Sequence, residues 1–337
     1  DKIEARRVAK EAGVPLLPGS QGAIKSKEEV LTLASDIGYP LLIKAAAGGG
    51  GKGMKIVYSV EELISQYELA GKEAMACFGS SECFIERFLE NPRHIEVQVL
   101  ADEHGNLQIW GERDCSLQRR LQKIVEEAPC AFLTEAERRK VATYAKKLVQ
   151  YAGYQSLGTV EFLYEKGEFY FMEINTRVQV EHPVTEMVFG LDLVREQIEV
   201  AQGKKLSNTE FEIKPRGHAL ECRINAEDPE TFVPWPGKIT AYHEPGGHGV
   251  RVDSMVYTGY VVPSLYDSLL AKVIVHGENR DQAISKMRRA LKETQVHGIR
   301  TNLKLHKKIL EHSSFCRGEL STNALQKWFF SKKLNHF

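Results

Sequence analysis

Residues 173–186 read Glu-Ile-Asn-Thr-Arg-Val-Gln-Val-Glu-His-Pro-Val-Thr-Glu. Glu173, Asn175, Arg177, Gln179 and Glu181 fall at every second position, so an extended backbone presents all five on one side. Two carboxylates, a guanidinium and two amides in a row suit a site that holds a metal ion and then a small oxyanion. Just upstream, segments 159–164 and 169–174 read as a hairpin turning at Lys166-Gly167-Glu168. A three-residue loop there pairs Glu161 with Glu173 and puts Leu163 and Phe171 on the same face. Opposed like charges repel, so this pair needs a cation between its members or a proton on one of them. Two oxygen ligands plus phosphate oxygens suit Mg2+ or Mn2+. The plainer alternative is two surface glutamates on an amphipathic hairpin, and Asn175 and Arg177 following in phase weigh against it.

The 337 residues suffice for two domains, or for one domain with a large subdomain. Lysine plus arginine and aspartate plus glutamate both number 45, so no bulk charge draws the chain to nucleic acid or to an anionic membrane. No apolar run is long enough to span a bilayer, and no signal-peptide pattern is present. The six cysteines form no CxxC, which fits reduced thiols of a cytosolic protein and argues against zinc. The first residues already read as a helix over 2–12, from which a further N-terminal domain is expected.

Helices are expected over 27–37 and 59–76, and strands over 39–45, 54–58 and 82–88. They form a lid-like α/β block of about 75 residues, roughly 17–88. Strands over 94–101 and 107–113, a helix over 135–152, the hairpin and a helix over 191–202 follow. A polar connector at 203–214 leads to a β-rich region with helices over 279–294 and 302–310. The expected fold class is α+β, with domains 1–205 and 212–325 and a tail at 326–337.

Four further stretches carry chemistry. Residues 45–53 read Ala-Ala-Ala-Gly-Gly-Gly-Gly-Lys-Gly. A strand follows these glycines where a dinucleotide fingerprint needs a helix, and no Gly-Lys-Ser/Thr occurs. The reading is a flap whose backbone N–H groups close over phosphates, with Lys44 adding a point charge; a mobile surface hairpin is the alternative. Residues 86–96 break at Pro92 and suit a hinge whose backbone reads an adenine edge, or a plain connector. Residues 111–123 hold Arg113, Arg119, Arg120 and Lys123 after a strand, either to reach a polyphosphate or as a solvated basic face. Cys115 reads as packing. In Glu-Cys-Arg-Ile-Asn-Ala-Glu-Asp-Pro, residues 221–229, Arg223 reads by default as a structural salt bridge.

Taken together, the glycine flap and residues 86–94, 113–129 and 173–186 resemble biotin carboxylase, of the ATP-grasp superfamily, along nearly the whole chain. The resemblance implies an ATP-grasp domain with a mobile lid, then a β-rich C-terminal domain. It implies that Lys2 and Lys44 approach the ATP phosphates under the flap of Gly48, Gly49, Gly50, Gly51 and Gly53. Glu86 and Leu89 hold adenine through the hinge backbone, and Leu163 packs on the ring. His94, Gln118 and Lys123 line the nucleotide and phosphate site. Glu161 and Glu173 hold the divalent ions, with Asn175 near the second. Arg177, Gln179 and the Val180 backbone hold bicarbonate, Glu181 is its general base, and Arg223 faces the ureido oxygen of biotin.

The implied partners are bicarbonate, a biotin carboxyl carrier protein, carboxyltransferase subunits, and a second copy of the chain when the N-terminal domain is present. The implied reaction is the first half-reaction of a biotin-dependent carboxylase, with acetyl-CoA carboxylase favoured over the pyruvate, propionyl-CoA and methylcrotonyl-CoA enzymes. The location would be cytoplasmic, or the mitochondrial matrix for a eukaryotic acyl-CoA carboxylase. Two departures stand out: Leu121 where many members carry histidine, and the family's N-terminal α/β domain, which is not in this sequence. Another ATP-grasp ligase and an inactive nucleotide-binding fragment are the rival readings.

Overall fold

A computed structural model describes residues 2–20, 22–24, 26–46, 53–206 and 214–330. Helix α1 (Lys2–Glu11) opens the chain. Helix α2 (Lys27–Ile37) starts where the Ser26 hydroxyl accepts from the Glu29 N–H, a side-chain cap on an otherwise orphan donor. Strands β1 (Leu41–Ala45), β2 (Met54–Val57) and β3 (Cys83–Arg87) form an antiparallel sheet in the order β2-β1-β3. Helix α3 (Val60–Phe78) packs on it and ends at Gly79, whose φ of 74° suits glycine. Val30, Leu41, Ile43, Leu63, Ala70 and Ile85 are the core of this small unit.

The rest is built around one eight-stranded sheet. Its strands are β4 (Arg93–Ala101), β5 (Leu107–Arg119), β6 (Gln122–Ala128), β7 (Ser156–Glu165), β8 (Glu168–Asn175), β9 (His218–Asn225), β12 (Val250–Ser254) and β14 (Leu269–Gly277). Four short strands, β10 (Gly237–Lys238), β11 (Ala241–His243), β13 (Val261–Val262) and β15 (Gln295–His297), pair apart from it, β10 with β13 and β11 with β15. The large sheet runs β12-β14-β9-β6-β5-β4-β7-β8, antiparallel throughout. The helices are α4 (Glu135–Tyr151), α5 (His182–Phe189), α6 (Leu193–Ala201), α7 (Arg280–Glu293), α8 (Leu303–Glu311) and α9 (Ser313–Cys316).

Alternation along the strands splits the sheet into two chemistries. On β4, Ile95, Val97 and Val99 join Val160, Phe162, Phe171 and the α4 residues Val141, Ala145 and Leu148 in one core. On β9, Leu220, Cys222 and Ile224 join Met287, Leu291 and Ile309 of α7 and α8 in a second. The intervening residues His94, Glu96, Gln98, Glu221 and Arg223 face the other way.

Two expectations change. The sequence pattern ends β5 at 113 and shows neither β6 nor α5; in the structure β5 continues to Arg119 and turns back through Arg120 and Leu121 into β6. Strand β9, from beyond the connector at 203–214, pairs with β6 in the same sheet. The β7–β8 turn has two residues, Lys166 and Gly167, with φ of 52° and 86°, so Tyr164 pairs with Phe169 and Leu163 with Tyr170. A bulge at Met172 then restores the expected Glu161–Glu173 pair. Phe171 consequently pairs with Phe162 in the core, on the face opposite Leu163.

Candidate active site

Sheet register builds the site. Arg113 on β5 pairs with Glu96 on β4, Glu96 with Glu161 on β7, and Glu161 with Glu173 on β8. Three glutamates thus stand side by side on adjacent strands, an arrangement that repels unless cations reach it. They do. The Lys123 ammonium contacts Glu96 at 2.5 Å, Glu161 at 2.8 Å and Glu181 at 2.6 Å. The fully buried Arg113 donates to Glu96 (2.5 Å), Gln98 (2.7 Å), Thr185 (2.8 Å), Thr159 (3.2 Å) and Gln179 (3.3 Å). Burial drives the Glu96 carboxyl up, but Lys123 and Arg113 outweigh it and hold the group at about 2. Burial lowers the Lys123 ammonium, and Glu96 and Glu181 more than reverse that, keeping it charged.

Around Glu161 the donors crowd. Its Oε1 accepts from Lys123, from Asn175 at 3.0 Å and from Gln179 at 2.7 Å, and its Oε2 lies 3.0 Å from His94 Nε2. Gln118 donates to His94 Nδ1 at 2.8 Å, which leaves the ring proton on Nε2, facing Glu161. Burial raises the Glu161 carboxyl, and His94 and Lys123 outweigh it to hold the group below the usual carboxylate range. Glu173 is half-buried, with Asn175 Nδ2 at 3.5 Å from its Oε1.

Beyond Asn175 the strand stops, so the extended row expected over 173–181 does not exist. Gln179 and Glu181 still reach the cluster because the chain turns into α5, with Glu181 as its N-cap residue. Glu181 is buried between Lys123 and Arg223, whose Nη2 lies 2.8 Å from its Oε2. Arg177 is exposed and bonds the Val178 carbonyl (3.2 Å) and Asn175 Oδ1 (3.4 Å), outside the Lys123 cluster. The Val180 carbonyl accepts from Lys272 at 2.9 Å.

Arg223 lies within β9. It also bonds Glu126 at 2.6 Å, and its carbonyl is held by Asn302 (2.9 Å) and His306 (2.7 Å). Burial lowers His306 to about 4, so the ring is neutral.

On the lid side, the buried Glu86 side chain bonds Arg6 at 2.9 Å and Lys44. Leu89 lies in the irregular link between β3 and β4, and Leu163, half-buried, pairs across strands with His94. Gly53 has φ of 70° and its carbonyl accepts from Ala45 N–H at 3.1 Å. Gly48, Gly49, Gly50 and Gly51 and the Lys2 side chain fall outside the described residues. Leu121 sits exposed at the β5–β6 tip with φ of 65°, a backbone conformation that a leucine adopts less readily than a histidine. Arg113 is in no basic surface, contrary to one reading of 111–123, and Arg119 stacks on Phe232 at 4.8 Å.

Glu96 and Glu126 were missed as site residues, and Arg113 was read only as one of four cations able to reach a polyphosphate. A signal for the first existed: His94, Glu96 and Gln98 alternate with Ile95, Val97 and Val99.

Residues 1–209 match the family model described as the carbamoyl-phosphate synthase L chain, ATP binding domain, and residues 221–327 match that of the biotin carboxylase C-terminal domain. Biotin carboxylase of Pseudomonas aeruginosa is 53% identical over 97% of this chain and 73% of its own length. This chain belongs to the biotin carboxylase family. Members of this ATP-dependent ligase family carboxylate biotin. A pyruvate carboxylase subunit of Methanothermobacter thermautotrophicus is 50% identical over 97% of this chain and 67% of its own. Biotin carboxylase from Campylobacter jejuni superposes with a TM-score of 0.94 at 47% identity, over 97% of this chain and 73% of that one. The biotin carboxylase domain dimer of Hydrogenobacter thermophilus 2-oxoglutarate carboxylase, in complex with MgADP, ADP and bicarbonate, does so at 0.94 and 46%, again over 97% and 73%. The ATP-grasp and biotin carboxylase C-terminal architecture expected from the sequence is therefore the observed one. No described helix is long and apolar enough to cross a membrane.

Proposed function

We propose that this chain carries out the first half-reaction of acetyl-CoA carboxylase, with the site residues in the roles the resemblance assigns. The observation that carries the proposal is the Lys123 cluster: one ammonium joining Glu96, Glu161 and Glu181, with Arg223 on the far side of Glu181. It sets a row of carboxylates against a paired acid and guanidinium.

In this reading a bicarbonate oxygen attacks the γ-phosphorus of ATP, the bond to ADP breaks, and carboxyphosphate forms. Carboxyphosphate breaks into CO2 and phosphate, the released phosphate takes the proton from N1′ of biotin, and N1′ forms its bond to the CO2 carbon. Glu181 accepts the bicarbonate proton. Each of its oxygens has one cationic partner and keeps a further lone-pair direction for a substrate. Arg177 and Gln179 hold the anion, and Arg223 stabilises the ureido oxygen as charge builds on it. Lys44 neutralises phosphate charge, and Glu86, Leu89 and Leu163 enclose adenine.

Glu161 and Glu173 are hard oxygen donors on one face of one hairpin, which fits Mg2+ or Mn2+, and Asn175 lies beside them with its amide nitrogen towards both. A bound ion would there offset the charge of the phosphates. Glu173→Gln should raise the Mg2+ concentration for half-maximal bicarbonate-dependent ATPase at least about tenfold. An unchanged titration removes Glu173 from the metal set.

Arg223→Ala should slow biotin carboxylation by about 100- to 1000-fold, as for one lost oxyanion donor. Isothermal titration should show ATP affinity within about twofold of the parent, given the scale of substitutions outside a binding contact. A fall in ATP affinity without a fall in carboxylation per bound ATP contradicts the role.

The choice of acetyl-CoA rests on the sequence resemblance, and the Methanothermobacter pyruvate carboxylase relative, 50% identical, favours pyruvate instead. Reconstitution with a biotinylated carrier and each transferase, assayed on acetyl-CoA and on pyruvate, separates the two. The ligands and dimeric state of the Hydrogenobacter domain support Mg2+, bicarbonate and a homodimer here.

A further inference from the structure

Beneath α5, Glu126 of β6 lies directly opposite Glu221 of β9. Antiparallel partners have Cβ atoms about 4.5–5.5 Å apart, so the two carboxyl groups share one small space. Both residues are fully buried. Arg223, two residues along β9 from Glu221, donates to Oε1 of Glu126 at 2.6 Å. Oε2 of Glu126 and both oxygens of Glu221 have no hydrogen-bond donor among the described residues.

Two ionised carboxylates so placed would leave three buried acceptors unsatisfied and two like charges in contact, each costly. One O–H on Glu221 supplies the missing donor and removes a charge. We propose that Glu126 and Glu221 hold a single proton in common, and that Glu221 is thereby a positioning residue for Arg223. Neutral Glu221 leaves Glu126 as the one charged anchor of the Arg223 Nε, so Nη2 stays aimed at Glu181. Loss of the proton adds a second buried negative charge that draws the guanidinium back toward the sheet.

The surroundings agree. Burial pushes Glu126 up to about 7 against the pull of Arg223, and burial and Glu126 push Glu221 well above the carboxylate range. The charged groups facing the pair are Arg223 on β9, Lys123 on β6, Lys272 on β14 and Glu181 at the start of α5. Helix α5 also carries His182 and Glu186, the latter bonded by Arg251 of β12 at 2.6 Å.

The first test is infrared difference spectroscopy of the whole protein at neutral pH, wild type against Glu221→Gln. A protonated-carboxyl C=O stretch, sensitive to D2O, is expected in the wild type and absent from the variant. Its absence from the wild type, or its survival in Glu221→Gln, overturns the shared proton. Should Glu221→Gln not fold, Glu221→Met gives the same comparison with an apolar side chain.

The kinetic arm rests on the reading of Arg223 as the contact to biotin. Glutamine cannot release the proton, so the alkaline limb of biotin-dependent turnover should move up by about one pH unit or more, in kcat and not in the KM for ATP. A lost band with an unmoved limb overturns the coupling to Arg223. A lost band in a protein whose ATPase never responds to biotin faults the reading of Arg223 and leaves the proton pair standing.

Discussion

Lys123→Met is expected to produce a protein that is several kcal/mol less stable and slower in biotin carboxylation by about 100-fold or more. The lysine is the shared partner of three buried carboxylates from β4, β7 and the start of α5. Methionine fills much of the same volume and carries no charge, so the effect is electrostatic. Breaking a buried pair by removing one partner typically costs about 3–5 kcal/mol, because the remaining charge is stranded. Here Arg113 still serves Glu96 and Arg223 still serves Glu181, while Glu161 keeps His94.

Denaturant titrations across pH separate this from general damage. With Lys123 present, Glu96 is held at about 2, below its ordinary 4.5. Its contribution to stability is present above 4.5 and is lost as pH falls towards 2. In Lys123→Met the carboxyl moves up towards 4.5, so the acid-side loss due to Glu96 becomes smaller and ends at higher pH. A variant as stable as the parent at pH 7, with the same acid profile, contradicts the cluster.

Arg113→Met should cost about 3–5 kcal/mol in urea unfolding at neutral pH. Arg113 has no exposed surface, and its guanidinium serves five acceptors on β4, β7, α5 and the segment before α5. Arg113→Lys keeps the charge but lacks the planar fork, so an intermediate loss is expected. Because Gln179 and Thr185 both hang on this group, carboxylation should fall even in molecules that remain folded. A cost below about 1 kcal/mol would place Arg113 with ordinary surface positions.

Local signals on the chain explain what was legible. Ser26, Ser59, Thr134 and Asn279 each precede a helix as a cap residue, and all four helices form there. The Glu161–Glu173 pair was legible because a short turn leaves few registers. The route to it was not, since a two-residue turn plus a bulge and a three-residue turn give the same pair. What the short-range reading could not reach was the partner of each charge. In sequence, Arg113, Arg119, Arg120 and Lys123 look like one basic run. In space, Arg113 is core, Arg119 lies on Phe232 and Phe330, Arg120 is exposed, and Lys123 enters the acid row.

By itself, then, the order of residues determined most strands and helices, though not β6 or α5, together with the opposed carboxylates of β7 and β8 and the family motifs. These depend on periodicity, turn length and caps, which act over a few residues. Only the tertiary structure decided that β9 joins β6, that Lys123 answers three acids and that Glu221 faces Glu126. Those pairings join residues tens of positions apart, and their energies depend on burial, which no local stretch of chain contains.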